Sequence, residues 1–319
     1  MNVAVVKPKR KAKQYNEPRR NLGREIRNHW PLYLYILPAL VYLIVFDYVP
    51  MYGIQIAFKN FNPGIGIINS PWVGFKHFIT FFEGYYFGRM IRNTFLLSLY
   101  SLVIGFPIPI LVALMLNELG SVRYRRFAQT LLYAPHFISM VVMIGILTTM
   151  FSPTIGVVNK IITLLGGDPI YFMIQPTMFR HLYVWSGVWQ GMGWGAVIYL
   201  AALSTVSMEL HEAAMIDGAS RLKRIIHINI PTIAPTIIIM LILRLGNLAS
   251  VGYEKVYLML NDMNREVAEV ISTFVYTRGI ESGQFSYTAA VGLFDNVVNV
   301  TFLLIANFIA RRTSETSLF

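Results

Sequence analysis

The 319-residue sequence is 55% hydrophobic and only 13% charged, with no cysteine and a formal net charge of +11. A soluble domain of this size rarely carries so apolar a composition, whereas a multi-span membrane protein usually does. Without cysteine there are no disulfides, thiolate metal sites or thiol catalysis. The positive charge does not indicate nucleic acid, because Lys and Arg gather at the ends of apolar stretches with no aromatic–basic platform between them.

A helix needs about 20 mostly apolar residues to cross a ~30 Å hydrocarbon core. The first stretch to meet this test, 32–58, follows a tail of residues 1–31 that holds nine Lys and Arg. It is too long for a cleaved signal peptide, its far end carries bulky Tyr52 and Phe58, and no small-residue cleavage site follows. Trp30, Tyr33 and Tyr35 then belong at one headgroup level, and Tyr48 and Tyr52 at the other. The basic run 7–13 reads as a topology anchor, with binding to acidic lipid as the alternative. Five more stretches qualify: 94–116, 130–151, 181–204, 233–251 and 287–310. Pro38, Pro107, Pro109, Gly145, Gly193 and Gly195 interrupt the spans, as transmembrane helices tolerate. The expectation is an all-α, polytopic membrane protein with six transmembrane helices.

Orientation follows from charge. Seventeen Lys and Arg lie in the two termini, in 117–129 and in the loop after span four, against nine in 59–93, 152–180 and 252–286. The positive side faces the cytoplasm, so both termini are expected inside. The domain plan is a cytoplasmic tail 1–31, a transmembrane domain 32–310 and a cytoplasmic tail 311–319. The three long external segments are rich in Gly and Pro and include Trp72, Asp168-Pro169 and Tyr276. Loops of that length are functional or disordered, and here they suit docking of an external partner.

Enzyme chemistry is missing. There is no phosphate loop and no Gly-Lys pair anywhere, so any use of ATP needs another subunit. His211-Glu212 starts like a metallopeptidase motif, but Met215 stands where the second ligand would be. Ser186 lacks the preceding glycine of an intramembrane serine protease, and the six histidines show no metal-ligand spacing.

The loop 212–231 is distinctive. Glu212, Ala213 and Ala214 suit the first turn of a short helix, with the acid favoured near its N-terminus. Gly218 can take positive φ and end that helix. The stretch 219–230 reads as a second short helix, apolar at Leu222, Ile225 and Ile226 and basic at Arg221, Lys223 and Arg224, with Pro231 starting the return to the membrane. Two such helices at a right-angle bend fit a groove on a partner; the alternative is a helix lying on lipid.

Glu212-Ala213-Ala214, Gly218 and Ile228-Asn229-Ile230-Pro231 together resemble the coupling loop of binding-protein-dependent ABC importer permeases, with Ile230 in place of the commoner Leu. Pro38-Ala39-Leu40, Asp47-Tyr48-Val49-Pro50-Met51-Tyr52-Gly53, Ser70-Pro71-Trp72-Val73-Gly74, Arg92-Asn93-Thr94, Pro135-His136-Phe137-Ile138-Ser139 and Ala289-Ala290-Val291-Gly292-Leu293-Phe294 resemble the carbohydrate branch, and within it the polysaccharide-type permeases that include alginate importers. The resemblance implies a type I ABC importer permease fold in the bacterial inner membrane. It implies a heterodimer with a second homologous permease, two ABC ATPase subunits below and an extracytoplasmic solute-binding protein above. It places ATP and Mg on the ATPases, with no cofactor in this chain. Within a coupling region 206–231 it assigns ATPase contact to Glu212, Ala213, Ala214, Asp217, Gly218, Ala219 and Pro231. The rival class is a self-sufficient secondary transporter or channel, which would need inverted repeats and a coupling-ion site that the sequence does not display.

Polar residues within spans usually face a cavity. Arg244 lies about 12 residues into span five, or ~18 Å at ~1.5 Å per residue, near the centre of a ~30 Å core. Asn247 and Val251 would share its face. Arg244 either pairs with Asp295 or Glu254, or binds the carboxylate of an acidic, alginate-like sugar bidentately. Members of the family generally look neutral here, a departure that favours an acidic substrate. Gln190 and Trp194 lie one turn apart among Gly191, Gly193 and Gly195, where Trp194 either stacks on a sugar ring or packs core. Tyr133 and His136 flank Pro135, where a kink would open span three. By resemblance, Tyr133, His136, Gln190, Trp194, Arg244 and Asn247 line the pathway of an oligo- or polysaccharide. Asp295, Asn296 and Asn299 in span six line it too or, as favoured, hold helices together.

Overall fold

A computed structural model of the chain describes residues 29–313 and 317–318. The basic run 7–13 and most of the 1–31 tail therefore lie outside the described residues, as do 314–316 and 319. The chain divides into two compact units, Met1–Ile54 and Gln55–Phe319. Secondary structure among the described residues is helical, apart from one isolated bridge between Lys59 and Trp72.

In the first unit the described residues form most of helix α1, Trp30–Phe58, which is long and apolar enough to cross a membrane. Pro38 sits inside it without ending it. Pro50 has no N–H to donate, and its ring would press on the carbonyl four residues back. The helix answers with a π-turn at Ile44–Tyr48, where the Val49 N–H bonds the Ile44 carbonyl five residues back. The last residues, Tyr52–Phe58, tighten to 3-10 geometry.

In the second unit, helix α2 covers Phe87–Asn117, with a change of segment at Phe106 just before Pro107. Helix α3, Val122–Phe137, and helix α4, Met140–Met150, meet at 100°. The expected span 130–151 is thus an elbow, not a kinked helix. Pro135 closes α3 in a 3-10 turn, Ile138 is extended, and Ser139 caps α4 by accepting from the Val142 N–H at 3.4 Å. Helix α5, Pro176–Leu203, and helix α6, Met208–Ile216, meet at 80°. Helix α7 runs unbroken over Arg221–Leu245. Short helices α8, Tyr253–Met259, and α9, Ile271–Tyr276, precede the long α10, Phe285–Thr313. Four of these runs are individually long and apolar enough to span, and the two bent pairs bring the number to six.

Helix α5 is the central element, packed on both halves of α2 and on α3, α7 and α8. Lipid tails are as apolar as Leu, so helix association in a membrane relies on close packing by small residues. Gly193 supplies it: a Cβ there would overlap the Leu132 carbonyl of α3. At Gly195 a Cβ would stand 3.1 Å from Pro109 of α2. Around these contacts Ala113, Leu114, Ala196, Tyr199, Leu203 and Ile233 form one buried cluster. A second gathers Leu97, Met143, Phe179, Val251 and Val256.

The three long connecting segments are pinned rather than loose. Lys59, buried, donates to the Ile67 and Ile68 carbonyls at 2.7 and 3.2 Å and lies over the Trp72 ring. Asn159 donates to the Phe151, Ser152 and Ile170 carbonyls and accepts from the Ile170 N–H at 2.7 Å. Asn93, at the start of α2, donates to the Glu266 and Glu269 carbonyls and accepts from Arg180, while Arg89 pairs with Glu269. Thr94 accepts from the Ile271 N–H at 3.1 Å. Arg89, Asn93 and Thr94 therefore fasten α2 to the segment 265–271.

Candidate functional site

Two places combine chemistry with exposure, and the first is the turn between α5 and α7. Helix α6 starts at Met208, four residues before Glu212, so Glu212, Ala213 and Ala214 occupy its middle and Glu209 is the acid of its first turn. An 80° bend lies before α6, at 204–207, and the expected second short helix is instead the start of the long α7. None of the nine residues of α6 is buried. Met208, Leu210, Met215 and Ile216 are exposed apolar side chains, Ile216 at 87%.

The exit from α6 follows directly from its residues. Asp217 caps the helix and Gly218 takes φ +78°, a conformation that L side chains resist. The Ala219 N–H then bonds the Ala214 carbonyl at 2.8 Å and the Gly218 N–H bonds the Met215 carbonyl at 3.1 Å, the paired bonds of a Schellman end. Ser220 accepts from the Lys223 N–H and opens α7. Pro231 does not start a return, since it lies inside continuous α7. A π-turn at Ile225–Asn229 absorbs it, the Ile230 N–H reaching back to Ile225 as Val49 does to Ile44. His211 Nε2 donates to Asn229 Oδ1 at 2.8 Å and ties α6 to α7. With exposed Leu222 and Ile226, the turn presents an apolar face edged by Glu212, Asp217, Arg221 and Lys223.

The second place is an open cavity of about 500 Å³ lined by α2, the start of α4, α5, the end of α7, the residues after it, and α8. That volume lies within the ~300–1,000 Å³ of small-ligand sites. Gln190, Arg244 and Asn247 line it, together with Ser98, Ser101, Tyr183, Ser250 and Lys255. Among the described residues no Asp or Glu lies on its wall.

Helix α7 ends at Leu245, so Arg244 stands in its last turn and not mid-helix, where its charge faces the negative end of the helix dipole. Asn247 and Val251 follow in non-helical turns, so the shared helical face is replaced by a shared cavity wall. Arg244 forms no ion pair among the described residues, and neither Asp295 nor Glu254 reaches it. Gln190 Nε2 donates to the Ile138 carbonyl at 2.8 Å. It thereby satisfies a backbone group that the α3–α4 elbow leaves without a helical partner.

Tyr133, His136 and Trp194 are not on this wall. Trp194 is half exposed rather than core, its ring stacked on His136 at 4.7 Å and 2°. Tyr133 is partly buried beside Pro135. Asn299 accepts from the Ala249 N–H at 2.8 Å and donates to Ser250 at 2.7 Å, so it holds α10 to the chain leaving α7. Asp295 and Asn296 line a separate, smaller pocket with Tyr253 and Tyr276.

Lys255 was not expected at the site. It is 6% exposed, its Nζ donates to the Tyr183 carbonyl at 2.7 Å and lies 4.6 Å from the Tyr183 ring centroid, and burial pushes its ammonium down to about 7. In the sequence it looks like one of the basic residues of an external segment, and no local pattern marks it. Only the folding of α8 against α5 brings it to the cavity.

Residues 105–315 match the family described as binding-protein-dependent transport system inner membrane component. Protein LplB of Bacillus subtilis is 44% identical over 92% of this chain and 92% of its own length. The polygalacturonan/rhamnogalacturonan transport system permease YteP of the same organism is 42% identical over 95% and 94%. Among solved structures, a bacterial ABC transporter involved in the import of the acidic polysaccharide alginate superposes with a TM-score of 0.85 at 41% identity, over 92% of this chain and 99% of that one. A bacterial alginate ABC transporter in complex with an alginate pentasaccharide-bound periplasmic protein superposes with a TM-score of 0.86 at 40% identity, over 93% and 99%.

Proposed function

The chain belongs to the inner-membrane components of binding-protein-dependent transport systems, as an ABC importer permease for sugars and polysaccharides, and on that premise we propose that its substrate is an acidic oligo- or polysaccharide. The observation that carries this reading is Arg244: a guanidinium on the wall of a cavity that has no carboxylate, without an ion pair among the described residues. Arg matches a carboxylate bidentately, and a neutral sugar would leave that capacity unused. The alginate and polygalacturonan systems named above support the same substrate class.

In this reading both termini and the coupling region 206–231 are cytoplasmic. A second, related permease completes the pathway, and two ATPase subunits carry ATP and Mg. The exposed apolar residues of α6 fit a groove on one ATPase, with Glu212, Ala213, Ala214, Asp217, Gly218, Ala219 and Pro231 forming or shaping the contact. Closure of the ATPases then moves α5 and α7 through α6, and the cavity alternates between the two sides of the membrane by rigid-body motion. A solute-binding protein delivers substrate to the pinned external segments, as the alginate system's complex with its periplasmic protein suggests. His136, Trp194 and Tyr133, off the cavity wall, would meet the sugar in the half of the pathway shared with the second permease, with Gln190 and Asn247 inside the cavity.

The test is sugar-stimulated ATP hydrolysis by the reconstituted transporter, comparing neutral and uronic-acid oligosaccharides on native protein and on Arg244→Ala. The native transporter should respond to the acidic sugars, and Arg244→Ala should lose at least tenfold of that response. Equal response of the two proteins to acidic sugars would remove Arg244 from substrate recognition.

A further inference from the structure

Arg244 is not the only cation at the cavity, and the second one is the more unusual. Lys255 is nearly buried, yet among the described residues its ammonium has no carboxylate partner. Glu254 beside it is exposed and makes no ion pair with it. An ammonium has three donors, and among the described residues only one is used, on the Tyr183 carbonyl. Leaving a buried cation uncompensated is unfavourable, and burial holds this ammonium down to about 7. The ring of Tyr183 offsets part of that cost through a cation–π contact.

Space is also kept for it. A Cβ at Gly187 would stand 3.1 Å from Lys255 Nζ, so the glycine of α5 leaves the ammonium its position at the cavity rim. If Lys255 served only to pack α8 on α5, an apolar chain of the same length would do so without desolvating a charge. A carboxylate arriving in the cavity would supply the missing counter-ion and accept the unused donors.

The geometry points to Lys255 as a second carboxylate-recognising residue of the transport cavity, acting with Arg244 on a polyanionic sugar whose acid groups repeat along the chain. This rests on the acidic-substrate reading above and adds to it a reason to discriminate polyuronates from sugars with a single acid group. Two cations on one cavity wall offer partners to two acid groups of a polyuronate, where a sugar with a single acid group uses only one.

The experiment uses the complete transporter with its ATPases and binding protein in nanodiscs, the binding protein saturated with trigalacturonate, and reads ATP hydrolysis above the sugar-free rate. Lys255→Met keeps length and packing while removing the charge; Lys255→Arg keeps the charge. The expected result is at least a tenfold loss of stimulation in Lys255→Met and recovery to within threefold of native in Lys255→Arg. Native-level stimulation in Lys255→Met overturns the inference while leaving the acidic-substrate reading intact. A native transporter that does not respond to trigalacturonate at all overturns both. Failure of both variants to co-elute with the partner subunits would make Lys255 a packing element and also overturn the inference.

Discussion

Helix α6 and the cavity wall are held in opposite ways. Helix α6 buries no residue, shows Met208, Leu210, Met215 and Ile216 to its surroundings, and among the described residues makes one side-chain hydrogen bond, from His211 to Asn229. The cavity wall is braced at four of its polar side chains. Gln190 is tied to Ile138, Asn247 to Leu243, Lys255 to Tyr183 and Ser250 to Asn299. Gly193 and Gly195 fit α5 closely onto α3 and α2. In the proposed reading α6 is covered by an ATPase, and such a surface can stay apolar and lightly attached because the partner completes it. A cavity that must choose a ligand needs side chains whose positions are set in advance.

The contrast can be broken most severely at Gly193. Any side chain there meets the Leu132 carbonyl, a backbone atom with no room to yield, so Gly193→Ala should destabilise at the upper end of the about 1–3 kcal/mol of overpacking, or beyond it. Thermal unfolding and assembly yield in mild detergent would show this, and a native-like melting curve would mean that α5 and α3 are less tightly joined than described. Gly218→Val is the opposite case. Forcing a β-branched residue to φ +78° costs about 1–2 kcal/mol locally, too little to unfold the bundle but enough to re-aim α6. Uptake should fall at least tenfold while membrane insertion and yield remain near native, with Gly218→Ala showing a smaller loss. Unchanged uptake in Gly218→Val would remove the turn from energy coupling.

The two regions also differed in how far the sequence revealed them. The turn between α5 and α7 is written in a contiguous stretch at fixed spacing, so its exit at Gly218 could be read directly. Its internal geometry could not, because the π-turn that absorbs Pro231 depends on backbone bonds no residue type announces. The apolar runs placed the spans within several residues at most of their ends, but the 100° elbow after Phe137 did not show. Pro135 alone is compatible with a gentle kink, and the sharp turn rests on Gln190 meeting Ile138 from a distant helix. Arg244 stood out because a charge in an apolar run is costly. Lys255 did not, since it sits in a polar segment and only tertiary packing buries it. His136 and Trp194 were assigned to the pathway separately, by resemblance, and the structure stacks them on each other away from the cavity wall.

The absence of cysteine from the chain gives one clean measurement of the central claim, that α6 docks on an ATPase. Single cysteines are placed at Ile216, 87% exposed at the end of α6, and at Leu165, 84% exposed in the segment between α4 and α5, and each is labelled with a photoactivatable maleimide in the assembled transporter. Ile216→Cys should cross-link to an ATPase subunit and Leu165→Cys should not. No ATPase adduct from Ile216→Cys, or an equal adduct from both positions, would contradict the account.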